Sequence, residues 1–234
     1  MRSKDVKEII KKVRDEGRHA LLEPEAKMLI SYYGIPVTKG FMARSKDEAL
    51  EAAKKIGYPV VLKIVSPDVL HKSDVGGVRV GISNDKELLE PFDGIIENVK
   101  KAKPRAKIMG IYVQEYVPEG REVIIGLIKD PQFGPTVMFG LGGIFVEVLK
   151  DVSFRIAPMS KKDAEEMIKE IRGYPILRGV RGNPPVDFEA LENALVAVSK
   201  LGWELKEIKE MDLNPVIAYH NGLKVVDARI ILEE

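Results

Sequence analysis

A chain of 234 residues with 37 Lys plus Arg against 36 Asp plus Glu is nearly neutral, so bulk charge directs it neither to nucleic acid nor to an anionic membrane. No apolar stretch approaches the ~20 residues that span a bilayer, and the charged N-terminus carries no signal-peptide pattern. The absence of cysteine excludes disulfides, thiolate metal sites and thiol nucleophiles, so the chain reads as soluble and cytoplasmic, while 31% charged residues point to a heat-adapted source.

Val6, Ile9, Ile10 and Val13 follow helical spacing and predict an amphipathic lead helix closed at Gly17. A second helix starts at Pro24 and stops at Gly34, and a strand runs from Ile35 to Met42. Ser45 with Glu48 forms a capping box for a helix ending near Gly57, and the β-rich run Pro59 to Val65 follows, so a β-α-β unit is implied. A loop from Ser66 to Gly76 leads into a strand over Gly77 to Ile82, then a helix over Asp85 to Ala102 and a Lys-rich link. Beyond Ile108 the texture becomes strand-first: Ile108 to Val117, Glu122 to Ile128, Pro135 to Phe139 and Ile144 to Leu149. Ser160 and Asp187 open two further helices, and two strands around Asn221-Gly222 finish the chain. Segregated helices and antiparallel strands in two lobes argue for an α+β fold, α/β only in the broad sense, and against a doubly wound sheet.

Four places carry possible chemistry. If Asn221-Gly222 is a two-residue turn, Val216 faces Asp227 and Asn214 faces Arg229. Side-chain alternation then puts Asp212, Asn214, Asp227 and Arg229 on one face, with Leu213, Pro215, Ile217, Val226, Ala228 and Ile230 on the other. Hard oxygen donors of this kind suit Mg2+, although a solvated hairpin face with an Asp/Arg pair fits the same residues. Lys63 interrupts an apolar strand, where a charge needs an anionic partner such as a phosphate. Downstream, Gly76 and Gly77 could bring backbone N–H groups to phosphate oxygens or serve only as a turn, and His71 could be a plain solvated imidazole.

The segment Val113-Gln-Glu-Tyr-Val-Pro-Glu-Gly-Arg-Glu leaves a strand through a Pro/Gly bend; it could offer backbone groups to a purine and Glu115 or Glu122 to a ribose, or be an ordinary hairpin. Gly140-Leu-Gly-Gly-Ile-Phe-Val-Glu147 is either a backbone approach site or a Gly-rich bulge. Arg155, Arg178 and Arg181 are candidate phosphate contacts, as is Arg229.

The texts YYGIPV, GYPVVLKIVSPDVLHKSDVGGV, VQEYVPEGREVIIG, FGLGGIFVEVLKDVSFRIAP and MDLNPV, in this order, resemble the ATP-grasp subunit of ADP-forming acetyl-CoA synthetases. The resemblance spans nearly the whole chain, and HKSDVGGV is its most specific part. It implies an ATP-grasp fold of two lobes with nucleotide bound between them: residues 24–105 as the first lobe, 1–23 plus 106–234 as the second. It further implies that Lys63 contacts the phosphates of ATP or ADP, that Gln114, Glu115, Tyr116 and Val117 line the adenine, and that Asp212, Asn214 and Asp227 surround Mg2+. His71 would be a phosphoryl carrier between a separate CoA-binding α subunit and ADP, in an α2β2 heterotetramer without nucleic acid or membrane. Two other readings compete: another ATP-grasp enzyme, such as a succinyl-CoA ligase β subunit or a carboxylate–amine ligase, and a non-catalytic nucleotide-sensing module. A succinyl-CoA ligase β subunit would be expected to carry an extra C-terminal CoA-ligase domain and a differently composed phosphate loop, and a carboxylate–amine ligase would not need His71; retention of Lys63, His71 and the three metal candidates speaks against the sensing module.

Overall fold

Two separate hydrophobic clusters organise the chain, one for each compact unit, residues 1–37 with 119–234 and residues 38–118. The computed structural model describes residues 2–69, 71–143, 145–180 and 182–233.

In the smaller unit, strands β1 (Gly40–Ala43), β2 (Val60–Val65), β3 (Val78–Ile82) and β4 (Gly110–Glu115) form a sheet in the order β1-β4-β2-β3. Every neighbouring pair is antiparallel, so β1 and β2 run the same way with β4 inserted between them, a split β-α-β. The crossover is the third helix of the chain, Lys46–Ile56, whose Ser45 N-cap accepts the Glu48 N–H as the sequence predicts. Its buried face is Ala49, Ala52 and Ala53, small enough for close approach to the sheet, and the helix Asp85–Ala102 adds Leu88, Phe92, Ile95 and Val99. Val60, Leu62, Ile64, Ile111 and Val113 meet these helices, which leaves Val61, Lys63, Val65, Tyr112 and Gln114 on the opposite sheet face.

The larger unit begins with α1 (Arg2–Asp15) and α2 (Glu23–Tyr32), whose Val6, Ile10, Val13, Ala26, Leu29 and Ile30 enter its core. With α3 and α4 for the two helices above, there follow β5 (Arg121–Asp130), β6 (Gly134–Leu141), β7 (Val152–Ile156), α5 (Lys161–Glu170), α6 (Tyr174–Leu177), α7 (Phe188–Glu204), β8 (Ile208–Tyr219), β9 (Gly222–Val225) and β10 (Ala228–Leu232). The sheet order is β10-β8-β5-β6-β7, with β9 added to β8. One face, including Val123, Ile125, Leu127, Val137, Phe139, Met211, Leu213 and Ile230, packs into the core with α5 and α7.

Several expected boundaries move. The lobe limits at 24–105 and 106 give way to 38–118: α2 belongs to the larger core, and β4 is an interior strand of the smaller sheet. The strand expected over Ile35 to Met42 shortens to β1, with Val37 making an isolated parallel bridge to Val225. A single π-helical turn, Phe145–Leu149, replaces the strand expected over Ile144 to Leu149, and β7 follows instead. The β-rich composition of FVEVL is overridden by tertiary context.

Candidate functional site

Lys63 sits in the middle of β2, opposite Tyr112 of β4 and only 4% exposed. Gln114, opposite Val61 on the same face, is 1% exposed, so the smaller unit buries a cation, an amide and a phenol side by side on the face away from its helices. Burying a charge is unfavourable without a compensating partner, so this face is built for polar contact. Tyr112 was not singled out by the sequence, although its alternation with Gln114 is the readable signal. Its ring lies where a Cβ on Gly40 would be, 2.3 Å from Tyr112 Cζ, so glycine at position 40 makes room for it.

Glu115 has the other parity. It pairs with Val60, and its Oε1 accepts the Lys39 N–H at 2.7 Å while its own N–H donates to the Lys39 carbonyl. That carboxylate oxygen ties β4 to the start of β1. Tyr116, half exposed, donates its N–H to the Pro59 carbonyl, and Val117 is half-buried.

Past the end of β2 the chain turns through Ser66 and Asp68 and presents His71 as an exposed side chain before a short 3-10 turn, Ser73–Val75. The Gly76 N–H donates to Ser73 and the Gly77 N–H to Lys72, and the Gly77 carbonyl accepts the Ile64 N–H at 2.7 Å. A Cβ on Gly77 would stand 2.6 Å from Ile64 Cγ2 and 2.8 Å from the Lys72 oxygen, and Gly76 holds φ +62°. In this conformation the two glycines close the loop. Their amides do not face outward as phosphate donors, which corrects that expectation.

In the larger unit the terminal hairpin keeps its expected parity but moves its register by two residues. Tyr219 pairs with Gly222, making His220-Asn221 the turn, and Arg229 lies opposite Asp212 instead of Asn214. Asn214 donates its N–H to the Asp227 carbonyl at 3.2 Å. Because a two-residue shift preserves alternation, Asp212, Asn214, Asp227 and Arg229 still share the face away from the core. The apolar side does not stay in phase: a bulge at Asn214-Pro215, where pairing with β5 shifts, puts Val216 and Ala218 into the core in place of Pro215 and Ile217. Glu210 is added to the polar row and accepts from Arg229 Nη2 at 2.6 Å, with Asp212 at 3.9 Å from the same atom. Among the described residues no three His, Cys, Asp or Glu side chains form a metal cluster. The donors that suit Mg2+ are two carboxylates, Asp212 and Asp227, with the Asn214 amide, a hard-oxygen set of the kind that leaves positions for water and phosphate.

Glu122 lies on β5 at the wall of a cavity of about 320 Å³ that Gly120, Arg121, Gly142, Gly143 and Ile176 also line. Gly142 approaches the Glu122 backbone, donating to its carbonyl at 2.8 Å, so the glycine run here is a close backbone approach. Arg155 is corrected: on β7 it points to the helix-covered side, where it clasps Glu170 of α5 and each group strengthens the charge of the other. Arg178 is exposed at the end of α6; Arg181 and the Glu147 side chain lie outside the described residues.

An ATP-grasp domain family model matches residues 12–232. The β subunit of acetate–CoA ligase (ADP-forming) I of Pyrococcus furiosus is 55% identical over 226 residues, covering 97% of each chain. The chain belongs to the ATP-grasp family of ADP-forming acetate–CoA ligase β subunits. A longer relative, acetate–CoA ligase (ADP-forming) I of Archaeoglobus fulgidus, is 49% identical over 97% of this chain, which covers only 33% of that protein. Among solved structures, an acetyl-coenzyme A synthetase of Candidatus Korarchaeum cryptofilum in complex with coenzyme A and acetyl-coenzyme A, with a phosphorylated phosphohistidine segment, matches with TM-score 0.92 and 56% identity over 97% of this chain and 100% of that one. The same synthetase with coenzyme A and Mg-AMPPCP has its phosphohistidine segment pointing towards the nucleotide-binding site, and matches with TM-score 0.87 and 54% identity over the same shares.

Within this ATP-grasp chain, Lys63, His71 and Gln114 belong to the smaller unit, and Glu122, Asp212, Asn214, Asp227 and Arg229 to the larger. Among the described residues no helix is long and apolar enough to cross a membrane.

Proposed function

We propose that this chain is the nucleotide-handling β subunit of an ADP-forming acetyl-CoA synthetase and that His71 carries the phosphoryl group. The observation that carries the reading is an exposed histidine on a loop that leaves the end of the Lys63 strand, in a chain that aligns end to end with a named β subunit. A CoA-binding α subunit would convert acyl-CoA and phosphate into CoA and acyl phosphate. A histidine of that subunit would attack the phosphorus, releasing the acid; His71 would then take the phosphoryl group, freeing the first imidazole, and an oxygen of the ADP β-phosphate would attack phospho-His71, breaking its P–N bond to give ATP and free imidazole. The net reaction is acyl-CoA, phosphate and ADP to acid, CoA and ATP.

The chain's residues would act mainly by position and charge, which is how phosphoryl transfer is accelerated. Lys63 offsets the phosphate charge from a site too dry to screen it. Gln114 to Val117, at the end of β4 and just past it, line the adenine, and Glu122 offers a carboxylate to the ribose. Asp212, Asn214 and Asp227 would hold Mg2+, whose contribution is charge neutralisation and orientation of nucleotide oxygens. Arg229 adds a further cation at the same row.

A relative named as a subunit, and a longer relative of which this chain covers a third, support a partner chain, and we assign an α2β2 heterotetramer in the cytoplasm. The 31% of charged residues is the basis for assigning a heat-adapted source.

Mass spectrometry for acid-labile phosphate on His71 after exposure to ATP and Mg2+ tests the reading. Phosphate on His71, lost in His71→Ala, together with acyl-CoA-dependent ATP synthesis only when an α subunit is added, is the expected result. Full turnover by His71→Ala, or by this chain alone, would overturn it.

A further inference from the structure

The loop that presents His71 is fastened on its N-terminal side. Asp68 Oδ2 accepts the Lys107 N–H at 2.6 Å, and Lys103 Nζ donates to the Asp68 carbonyl at 2.7 Å. The Asp68 and Val69 amides both donate back to Ser66, and the Val69 side chain, 4% exposed, is part of the smaller unit's core. The strip that receives Asp68 is itself held: Lys103 and Ala106 make backbone bonds to Val99 and Lys103, and Met109 donates to Val65. On the far side the Gly77 bonds to Lys72 and Ile64 close the loop.

His71 follows Val69 by two residues, and an extended chain spans at most ~3.6 Å per residue, so with Val69 in place the His71 Cα stays within about 7 Å of the Val69 Cα. A carrier that must serve a nucleotide and a partner subunit needs more reach than that sphere gives. In the Korarchaeum synthetase the corresponding segment is described in more than one orientation.

We infer that Asp68 is the catch of the His71 segment, a positioning residue whose bonds to Lys103 and the Lys107 amide open each time the histidine travels between its two sites. The inference rests on the carrier reading. It also gives a use to the Lys-rich link: Lys103 and Lys107 belong to a run with Lys100, Lys101 and Arg105, and a cavity of about 480 Å³ lies against Asp68, Lys103, Pro104, Arg105 and Ala106. The bonds of the catch are thus at the surface.

Because the chain has no cysteine, the catch can be locked by a single engineered disulfide, Asp68→Cys with Lys107→Cys. In the enzyme assembled with its α subunit, oxidised protein with the cross-link verified by mass should lose turnover of acyl-CoA, phosphate and ADP by roughly tenfold or more, keep its affinity for ADP, and recover on reduction. A cross-linked enzyme with wild-type turnover overturns the inference. Asp68→Ala provides an arm that needs no cross-link: amide exchange over residues 66–72 should quicken by roughly fivefold or more while α4 is unchanged, and Asp68→Asn, which retains an acceptor oxygen, should stay near wild type. Unchanged exchange in Asp68→Ala also overturns it. If wild-type protein never carries phosphate on His71, the carrier reading fails instead, and the exchange comparison still decides whether Asp68 holds the loop.

Discussion

Arg229 rests on Glu210, with Nη2 2.6 Å from that carboxylate and 3.9 Å from the carboxylate of Asp212. The acidic row of β8 is therefore met by a cation from β10, which lies nearer Glu210 than Asp212. Removing the Glu210 charge should let the guanidinium settle on Asp212, where it competes with a divalent cation for the same oxygens.

Asp212→Ala and Asp227→Ala should each weaken Mg2+-dependent ADP binding by about tenfold or more while the fold survives, since both groups lie on the face away from the core. Glu210→Gln should leave ADP affinity at saturating Mg2+ intact but raise the Mg2+ needed by a few-fold, roughly the value of one exposed ion pair. Calorimetry across a Mg2+ series checks all three, and identical Mg2+ dependence in every variant would remove the metal assignment.

Lys63→Met keeps the length of the side chain and deletes a buried charge. Hydrogen bonds from a charged group are worth ~1.5–3 kcal/mol, so ADP affinity should fall roughly 10- to 100-fold. A thermal melt of the same variant separates lost affinity from lost stability, since removing one partner of a buried polar contact is itself destabilising. A variant that melts much earlier yet binds ADP normally would make Lys63 a structural residue.

Periodicity reads well wherever one force dominates. The helix Asp85–Ala102 has the predicted ends because its Asn84 cap and a continuous apolar stripe agree, and Ser45 caps its helix for the same local reason. Lys63 could be singled out because a charge inside an apolar strand is a local anomaly, whereas His71 takes its role from the resemblance of its loop text to a family and not from the residue itself. Partnerships between distant segments could not be singled out. Arg155 with Glu170, Glu115 with the Lys39 amide, and Asp68 with Lys103 and Lys107 are fixed by how strands and loops meet, and no pattern within either segment encodes them. The terminal hairpin is intermediate: its parity was readable from alternation, while its register depends on which two residues make the turn.

The N-terminal entry to α2 gives a pH prediction. Glu25 accepts from Arg18 at 2.8 and 2.9 Å and from the Leu22 N–H at 2.9 Å. Burial alone would raise its pKa, but these bonds and the Arg18 charge outweigh burial and hold the carboxyl below its ordinary value. The stabilisation is complete above the unfolded-state pKa of about 4.3 and disappears as pH falls through the lower folded-state value. Glu25→Gln should cost ~1.5–3 kcal/mol near neutral pH. Urea melts of both proteins from neutral to acid pH should converge at the acid end, and a constant difference would show that the charge is not the cause.

The two loop glycines should respond differently to alanine. At Gly76 the added Cβ meets Asn98 Nδ2 at 2.8 Å, the mobile end of a side chain, so the cost is chiefly the left-handed backbone, about 1 kcal/mol. At Gly77 it meets the Lys72 carbonyl at 2.8 Å, the same oxygen that accepts the Gly77 N–H, and Ile64 Cγ2 at 2.6 Å. Relief there must move backbone, and Lys72 is the neighbour of His71, so the histidine's presentation is disturbed along with the bond to Ile64. Gly77→Ala should therefore slow phosphorylation of His71 by ATP roughly tenfold or more, with ADP affinity near wild type, whereas Gly76→Ala should fall mainly in stability. Rapid-quench measurement of acid-labile phosphate beside thermal melts separates the two, and equal phosphorylation rates in both variants would show that closure at Gly77 does not place the histidine.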